Sequence, residues 1–236
     1  MRIRIYQINS ELDKNLVKYS GYNDLQKLQG NADIDAGIYK NVYYGDVEAN
    51  DLEDIYQLFN SKRIPTHQGH SLSVSDIIQV LESDDERLNG KCFFCDAVGF
   101  KTVKFDTTKC QEMDGLRCIY LTPGNKPLDL KLKVDEYETL KDAVQGFVEI
   151  TYPFDDTVAV VGNEEAKLEG MKGNFRIGSS IYAGPVLIVG DNGGEDFTEL
   201  TPEQAERYMK RFAEPEEISA EEAQTDMGIT FIGFNY

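Results

Sequence analysis

Apolar residues recur along this chain with two different periods, and each predicts a different kind of element. In "RIRIYQI" Ile3 and Ile5 alternate with Arg2 and Arg4, the pattern of a half-buried strand; the phase breaks at Gln7, with Tyr6 and Ile8 on the other face. In "NDLEDIYQLFN" Leu52, Ile55, Tyr56 and Phe59 fall at helical spacing. Asn50 or Asp51 is available as N-cap, and acids occupy the first turn. Further on, "IIQVL", the acidic turn "ESDDERLNGK" and "CFFCDAVGF" predict a hairpin whose loop ends in Asn89-Gly90, followed by the alternating "KTVKF". A second reading stays open, in which "SVSDIIQVL" starts a helix capped by Ser73 or Ser75.

The pattern restarts after "DTTKCQEMDG", which is polar and aperiodic. A boundary between about 108 and 116 follows, with domains at 1–108 and 117–236. "RCIYLTPGNKPLDLKLKV" reads as a strand, a Pro-Gly turn and another strand. "TLKDAVQGFVEI" offers a short helix with Thr139 as N-cap, Asp142 three residues on, and Leu140, Ala143, Val144 and Phe147 on its apolar face. "TVAVVGN" and "IYAGPVLIVGDN" are β-rich and end in turns. "LTPEQAERYMKRF" is marked as a helix by Thr201 at the N-cap, Pro202 at the first helical position and Gln204 at the capping-box position, with Ala205, Tyr208, Met209 and Phe212 as its stripe. "AEPEEISAEEAQTD" reads as an acidic, mobile tail and "MGITFIGFNY" as a last strand. The expected architecture is α+β: two small domains, each a mostly antiparallel sheet with one or two packed helices, and no internal repeat.

Composition narrows the partners. Among 236 residues, 24 Lys and Arg face 42 Asp and Glu, a net charge of −18. That field repels phosphate backbones and anionic membranes, so any nucleic-acid partner would be reached indirectly. No segment resembles a signal peptide or approaches the roughly 20 apolar residues of a membrane span, and a cytoplasmic protein is expected. In a reducing compartment Cys92, Cys95, Cys110 and Cys118 are expected as thiols. With no Trp but 13 Tyr and 12 Phe, two modest cores fit better than one large one.

Several stretches carry residues of catalytic type. "GHSLSVSD" holds His70, Ser71, Ser73, Ser75 and Asp76, yet triads are defined by geometry and the chain lacks a G-x-S-x-G elbow. If extended, the stretch puts Ser71, Ser73 and Ser75 on one face and Leu72 and Val74 on the other. Gly69 then permits a turn, and the hydroxyls and Asp76 satisfy backbone donors, so the stretch reads as the structured entrance to a core strand. Cys92 and Cys95 have zinc-knuckle spacing, with Cys110 and Cys118 as completing ligands, but Phe93-Phe94 implies a strand that points the two thiols to opposite faces. His67 and His70 form an H-x-x-H without the helix or glutamate of a zinc protease. "GNEEAKLEG" places Asn163, Glu164 and Glu165 beside Lys167 and Glu169, and reads as a turn followed by a solvated helical start. No phosphate-cradling or dinucleotide glycine motif is present, and neither a metal nor a cofactor is expected.

Acidic surface is the remaining candidate. Between residues 195 and 226 stand eleven acids, Glu195, Asp196, Glu199, Glu203, Glu206, Glu214, Glu216, Glu217, Glu221, Glu222 and Asp226, against Arg207, Lys210 and Arg211. Glu82, Asp84, Asp85 and Glu86 form a second cluster in the hairpin loop. Such surfaces can imitate a phosphate backbone, or can simply keep a protein soluble.

Four motifs, "IYQI", "LEDIYQLFN", "GHSLSVSDII" and "FFCDAVGF", follow the order and spacing of the YodL-like domain of Gram-positive conjugative elements, which residues 3 to 105 therefore resemble. "YPFDDTVAVVGNEEAKLEG", "IYAGPVLIVGDN" and "FTELTPEQAERYMKRFAEPE" are similar to an uncharacterised domain of the same plasmids, integrative elements and phages, over residues 117 to 217. Gly69, His70, Ser71, Ser73, Ser75, Asp76, Asn163, Glu164 and Glu165 lie in these signatures. Cys92, which makes a "CFFC", departs from the family pattern and weakens a metal role. The resemblance implies a mobile-element protein acting against host defences and supplies no catalytic residue. The expectation is a non-enzymatic inhibitor of a host nuclease, a CRISPR effector or a restriction enzyme. It would bind through the acids by DNA mimicry, steric block or allostery. A binder of a signalling nucleotide is the alternative, and a hydrolase the third.

Overall fold

The computed structural model describes residues 1–226, so the strand expected at 227–236 lies outside the described residues. The chain divides into two compact units, Met1–Met113 and Asp114–Tyr236. Each combines helices with an antiparallel five-stranded sheet, and the protein is α+β.

In the first unit β1 (Arg2–Ile8) lies between β2 (Tyr39–Asp46) and β3 (Ile77–Glu82), and β4 (Cys92–Cys95) and β5 (Phe100–Val103) complete the sheet. The register of β1 against β2 slips between Ile5 and Tyr6, just ahead of the break expected at Gln7. Ile3 and Ile5 join the core around Ile55 and Phe59 of α2 (Leu52–Ser61). Tyr6 and Ile8 join a separate core with Val17 and with Leu25 of α1 (Tyr22–Gln29). Of the two N-caps offered to α2, Asp51 serves: its Oδ1 accepts the Asp54 N–H at 2.9 Å. The hairpin reading of "IIQVL" holds, and Gly90, at φ +71°, supplies the left-handed residue before β4. Cys92 faces the α1 core and Cys95 the α2 core, as residues three apart on a strand must.

The second unit's sheet runs β7 (Leu128–Leu132), β6 (Leu116–Leu121), β12 (Val186–Gly190), β9 (Val158–Asn163), β8 (Val148–Thr151), with a separate hairpin of β10 (Gly173–Ile177) and β11 (Ser180–Ala183). One face packs Ile119, Val160 and Ile188 against Ala205 and Tyr208 of α4 (Pro202–Arg211). α3 (Tyr137–Val144) is fixed to the sheet by Tyr120, whose hydroxyl donates to the Ala143 carbonyl at 2.9 Å.

The second unit departs from the expected pattern at three places. Thr139 is not the N-cap of α3: the cap is Glu136, and Thr139 sits inside the first turn with its hydroxyl on the Glu136 carboxylate. The helix ends at Gln145, in the left-handed region at φ +59°, so Phe147 leaves the helical face and leads into β8. The supposed mobile tail folds, with Ile218 and Ala223 buried and α5 (Ala220–Thr225) capped by Ser219, giving this unit three α-helices among the described residues. "IYAGPVLIVGDN" divides at Gly184-Pro185 into β11 and β12, since Gly184 is left-handed at φ +70° and Pro185 has no N–H to offer a ladder.

Candidate functional site

"GHSLSVSD" is not extended: β3 begins only at Ile77, and Ser75 sits at φ +79°. Ser75 and Asp76 are both 0% exposed, so the three serines do not share a solvated face. Each buried group has a structural task. Ser75 Oγ accepts the Tyr19 N–H at 2.9 Å, the Ser75 carbonyl accepts the Tyr39 hydroxyl at 2.9 Å, and the Ser75 N–H donates to the Cys95 carbonyl at 2.9 Å. Asp76 Oδ2 accepts the Ser73 N–H at 2.8 Å and Gln7 Nε2 at 2.9 Å. Gln7 also spans His70, accepting its N–H at 3.0 Å and donating to its carbonyl at 2.8 Å. Gly69 is required by contact and not by a left-handed turn: a Cβ there would stand 2.1 Å from Gln7 Oε1 and 2.9 Å from Val42 Cγ2.

The geometry does not make a triad. His70 Nδ1 lies 2.7 Å from the Ser71 carbonyl and 3.9 Å from Asp76 Oδ2, beyond hydrogen-bond reach. Burial pushes the Asp76 carboxyl up to about 7 and the His70 imidazole down, so neither shift is that of an ion pair. Among the described residues His70 Nε2 is buried without a hydrogen-bond partner, so no serine meets it. His67 packs edge-on against Tyr43 and Phe59, and its burial lowers its pKa to about 4, the state of a neutral core histidine.

The four thiols are unpaired, and burial raises Cys92 to about 11, Cys110 to about 12, and Cys95 and Cys118 as well. Among the described residues no group of three or more His, Cys, Asp or Glu is placed to hold a metal ion. In "GNEEAKLEG" the expected helical start is a run of turns closed by Gly170 at φ +72°. Asn163 is buried there, with Oδ1 accepting the Glu165 N–H at 2.9 Å and Nδ2 donating to Glu169 Oε2 at 3.0 Å. Asn163 therefore shapes the turn, and Glu164 and Glu165 do not converge on a common ligand position with it.

The acids separate into two populations. Glu216 is turned inward: it binds the Arg176 guanidinium and accepts the Arg176 N–H at 3.0 Å, and Glu222 takes the other end of the same guanidinium. Asp226 is held 2.6 Å from Lys167. Asp85 is clasped by Arg87 at 2.7 Å, and that contact lowers its carboxyl to about 2. These four carboxylates are already engaged by cations of their own unit. Glu203 turns back onto its own helix start, its pKa lowered by the Glu203 N–H and the Thr201 hydroxyl. Glu82, Asp84 and Glu86 around the first-unit hairpin are exposed, as are Glu195, Asp196, Glu199, Glu206, Glu214 and Glu217 in the second unit. Among the described residues none of these nine has an ion-pair partner.

The bases of that second-unit segment are mostly occupied. Arg207 reaches Asp156 at 2.7 Å, and Arg211 lies 4.7 Å over the Phe154 ring. Asp156, which the sequence patterns did not single out, also accepts Tyr208 Oη at 3.0 Å, Gln204 Nε2 at 3.2 Å and the Thr157 N–H at 2.8 Å. Its only advance signal was its place in the "YPFDDT" motif. The result is a surface whose cations are drawn onto the unit while carboxylates point to solvent. A cavity of about 110 Å³ lies beside it, lined among others by Asn174, Arg176, Arg211 and Phe212. That is below the roughly 300 Å³ at which small-molecule pockets begin.

Residues 2–105 match the family model of the YodL-like domain, and residues 116–213 match that of a domain of unknown function (DUF3846). Neither description names a catalytic activity. No curated protein and no solved structure matches the chain. The protein thus joins a YodL-like domain in its first half to a DUF3846 domain in its second.

Proposed function

We propose that this is a non-enzymatic, mobile-element-encoded anti-defence protein, working in the cytoplasm of a bacterial host by binding the basic nucleic-acid surface of a defence nuclease. A CRISPR effector or a restriction enzyme fits the description. The observation that supports the reading is the asymmetry of the second unit: Glu195, Asp196, Glu199 and Glu206 are exposed and unpaired, while Arg207 and Arg211 are engaged by Asp156 and Phe154. A net charge of −18 adds a long-range field that speeds encounter with a cationic groove and repels nucleic acid itself. The buried polar knot at Gln7, His70 and Asp76 acts as scaffold in this reading, not as chemistry. A signalling-nucleotide binder needs a pocket in which Lys and Arg converge with aromatic rings. Arg176, Arg211 and Phe212 do meet, but in a cavity of about 110 Å³ with Arg176 already held by Glu216 and Glu222.

The test is plasmid transformation into hosts carrying a defined restriction enzyme or CRISPR effector, with and without prior expression of the protein. Restored transformation that disappears when Glu195, Asp196, Glu199 and Glu206 are neutralised supports the reading. Restoration unaffected by neutralisation removes the electrostatic mechanism, and no restoration in any system removes the function.

A further inference from the structure

We propose that β8 is a strand-addition site that takes an extended, cation-bearing segment of a partner protein. The inference goes beyond the inhibitor reading and does not depend on it, since it concerns a sheet edge and not the acids around α4.

The edges of the two five-stranded sheets are not alike. β2 is met by the segment after β5, with the Asn41 N–H on the Gln111 carbonyl and the Gln111 N–H on the Tyr39 carbonyl, both at 2.9 Å. β5 carries Lys101 and is followed by Lys104, the charges that ordinarily blunt an edge. β7 keeps Leu128, Leu130 and Leu132 buried. β8 carries a charge of its own, Glu149, but differs from all three in apolar exposure: Phe147, Ile150 and Tyr152 stand 55%, 44% and 65% exposed along six residues of edge. A short edge strand is itself a protective device, but shortness does not explain why three large side chains stay this exposed, with Tyr152 held by its hydroxyl on Asp191 Oδ2 at 2.9 Å and its ring open.

The backbone says what could cover them. The Glu164 N–H donates to the Phe147 carbonyl at 2.8 Å, and the ladder pairs Glu149 with Gly162 and Thr151 with Val160. Antiparallel ladders alternate, so Val148 and Ile150 turn their N–H and C=O groups away from β9. Among the described residues no hydrogen bond reaches those groups from outside the sheet. The complement of such a row is another strand, whose main chain supplies affinity and whose alternate side chains supply selection.

Charge decides between occupants. Glu149 lies between the two open positions, exposed and without an ion-pair partner among the described residues. If a second copy used both Val148 and Ile150, the symmetric antiparallel register would place Glu149 directly opposite the Glu149 of the other copy. Like charges so placed oppose pairing, and each chain carries −18. A segment with a lysine or arginine opposite Glu149 and apolar residues beside Ile150 reverses that sign.

The experiment uses the full chain, isotope-labelled, and two capped hexapeptides of alternating lysine and valine, one with alternate backbone nitrogens methylated. The peptides carry equal charge but differ in the ability to form a ladder. The unmodified peptide is expected to shift amide resonances of β8 and β9 saturably and to slow hydrogen exchange at Val148 and Ile150. Binding should weaken at least about tenfold with the methylated peptide and with Ile150→Lys. Ile150 is partly exposed, and the circular dichroism spectrum of that variant checks that it folds. Equal binding of the two peptides, shifts that miss β8, or unchanged affinity in Ile150→Lys would each overturn the proposal. So would a dimer in ultracentrifugation that Ile150→Lys dissociates, because a second copy would then be the occupant.

Discussion

Ser75 and Tyr19 are tied by one hydrogen bond, the Tyr19 N–H donating to Ser75 Oγ at 2.9 Å, and both sit in the left-handed region, at φ +79° and +68°. Two side-chain-bearing residues in that region cost on the order of 1–2 kcal/mol each, and the bond is part of what holds them there. Ser75→Ala removes the acceptor and keeps the strain. Ser75→Gly removes both. Urea unfolding is expected to show Ser75→Ala destabilised by about 2 kcal/mol and Ser75→Gly by about 1 kcal/mol less. The reverse order would mean that relief of the left-handed backbone at Ser75 does not contribute to the stability of this loop.

Asp76 makes stability depend on pH. Its folded-state carboxyl titrates near 7 against an ordinary 3.8, so the folded chain binds that proton more tightly than the unfolded chain. Stability from this group is therefore present below pH 4 and is lost as pH rises toward 7, a change on the order of 4 kcal/mol. Asp76→Asn keeps the acceptor oxygen and removes the charge. Denaturant midpoints taken from pH 4 to pH 8 should fall for the wild type by clearly more than for the variant; parallel curves would remove Asp76 as the cause.

Gly69 is held by contact with Gln7. Adding a methyl group in Gly69→Ala must displace the Gln7 amide, which bridges β1 to His70 and Asp76. A loss of about 2–3 kcal/mol is expected, and Gln7→Ala in the same background should add little, because the two changes break one network. A fully additive double mutant would place the effect elsewhere.

Asp156 is the corresponding node of the second unit, fastening Gln204, Arg207 and Tyr208 of α4. Asp156→Ala should lower stability by about 3 kcal/mol and free Arg207, reducing the negative field beside Glu206. Thermal unfolding measures the first effect and electrophoretic mobility at low salt tests the second.

How much of this was legible in the sequence depended on whether a residue's task was local. β1, α2, the β3–β4 hairpin and α4 announce themselves because periodicity, an N-cap such as Thr201 and a Gly90 turn are properties of neighbouring residues. α1 was missed because Leu25 is its only fully buried side chain, leaving no apolar stripe to read. β2, "YKNVYYGD", was missed because polar residues interrupt its alternation. α5 looked like solvated chain because its acids outnumber its apolar residues, and what folds it is Ile218 bridging to Gly173, 45 positions away in sequence. The candidate site divided the same way. The acids were countable, but that Glu216 serves Arg176 while Glu206 stays free depends on partners 40 or more residues distant. Gln7 showed only as a break in strand phase and Asp156 only as part of "YPFDDT", because the elements each of them fastens lie 48 or more residues away.

Inhibition of a nuclease in the proposed way requires that unpaired carboxylates of the second unit engage a cationic partner surface. Its most direct test is the equilibrium affinity of the purified chain for a purified nuclease identified by the transformation assay, measured across a salt series for the wild type and for a variant with Glu195, Asp196, Glu199 and Glu206 changed to their amides. Wild-type binding is expected to weaken steeply as salt rises, and the variant to bind more weakly with a flatter slope. Equal affinity and equal slope in the two proteins would contradict that engagement.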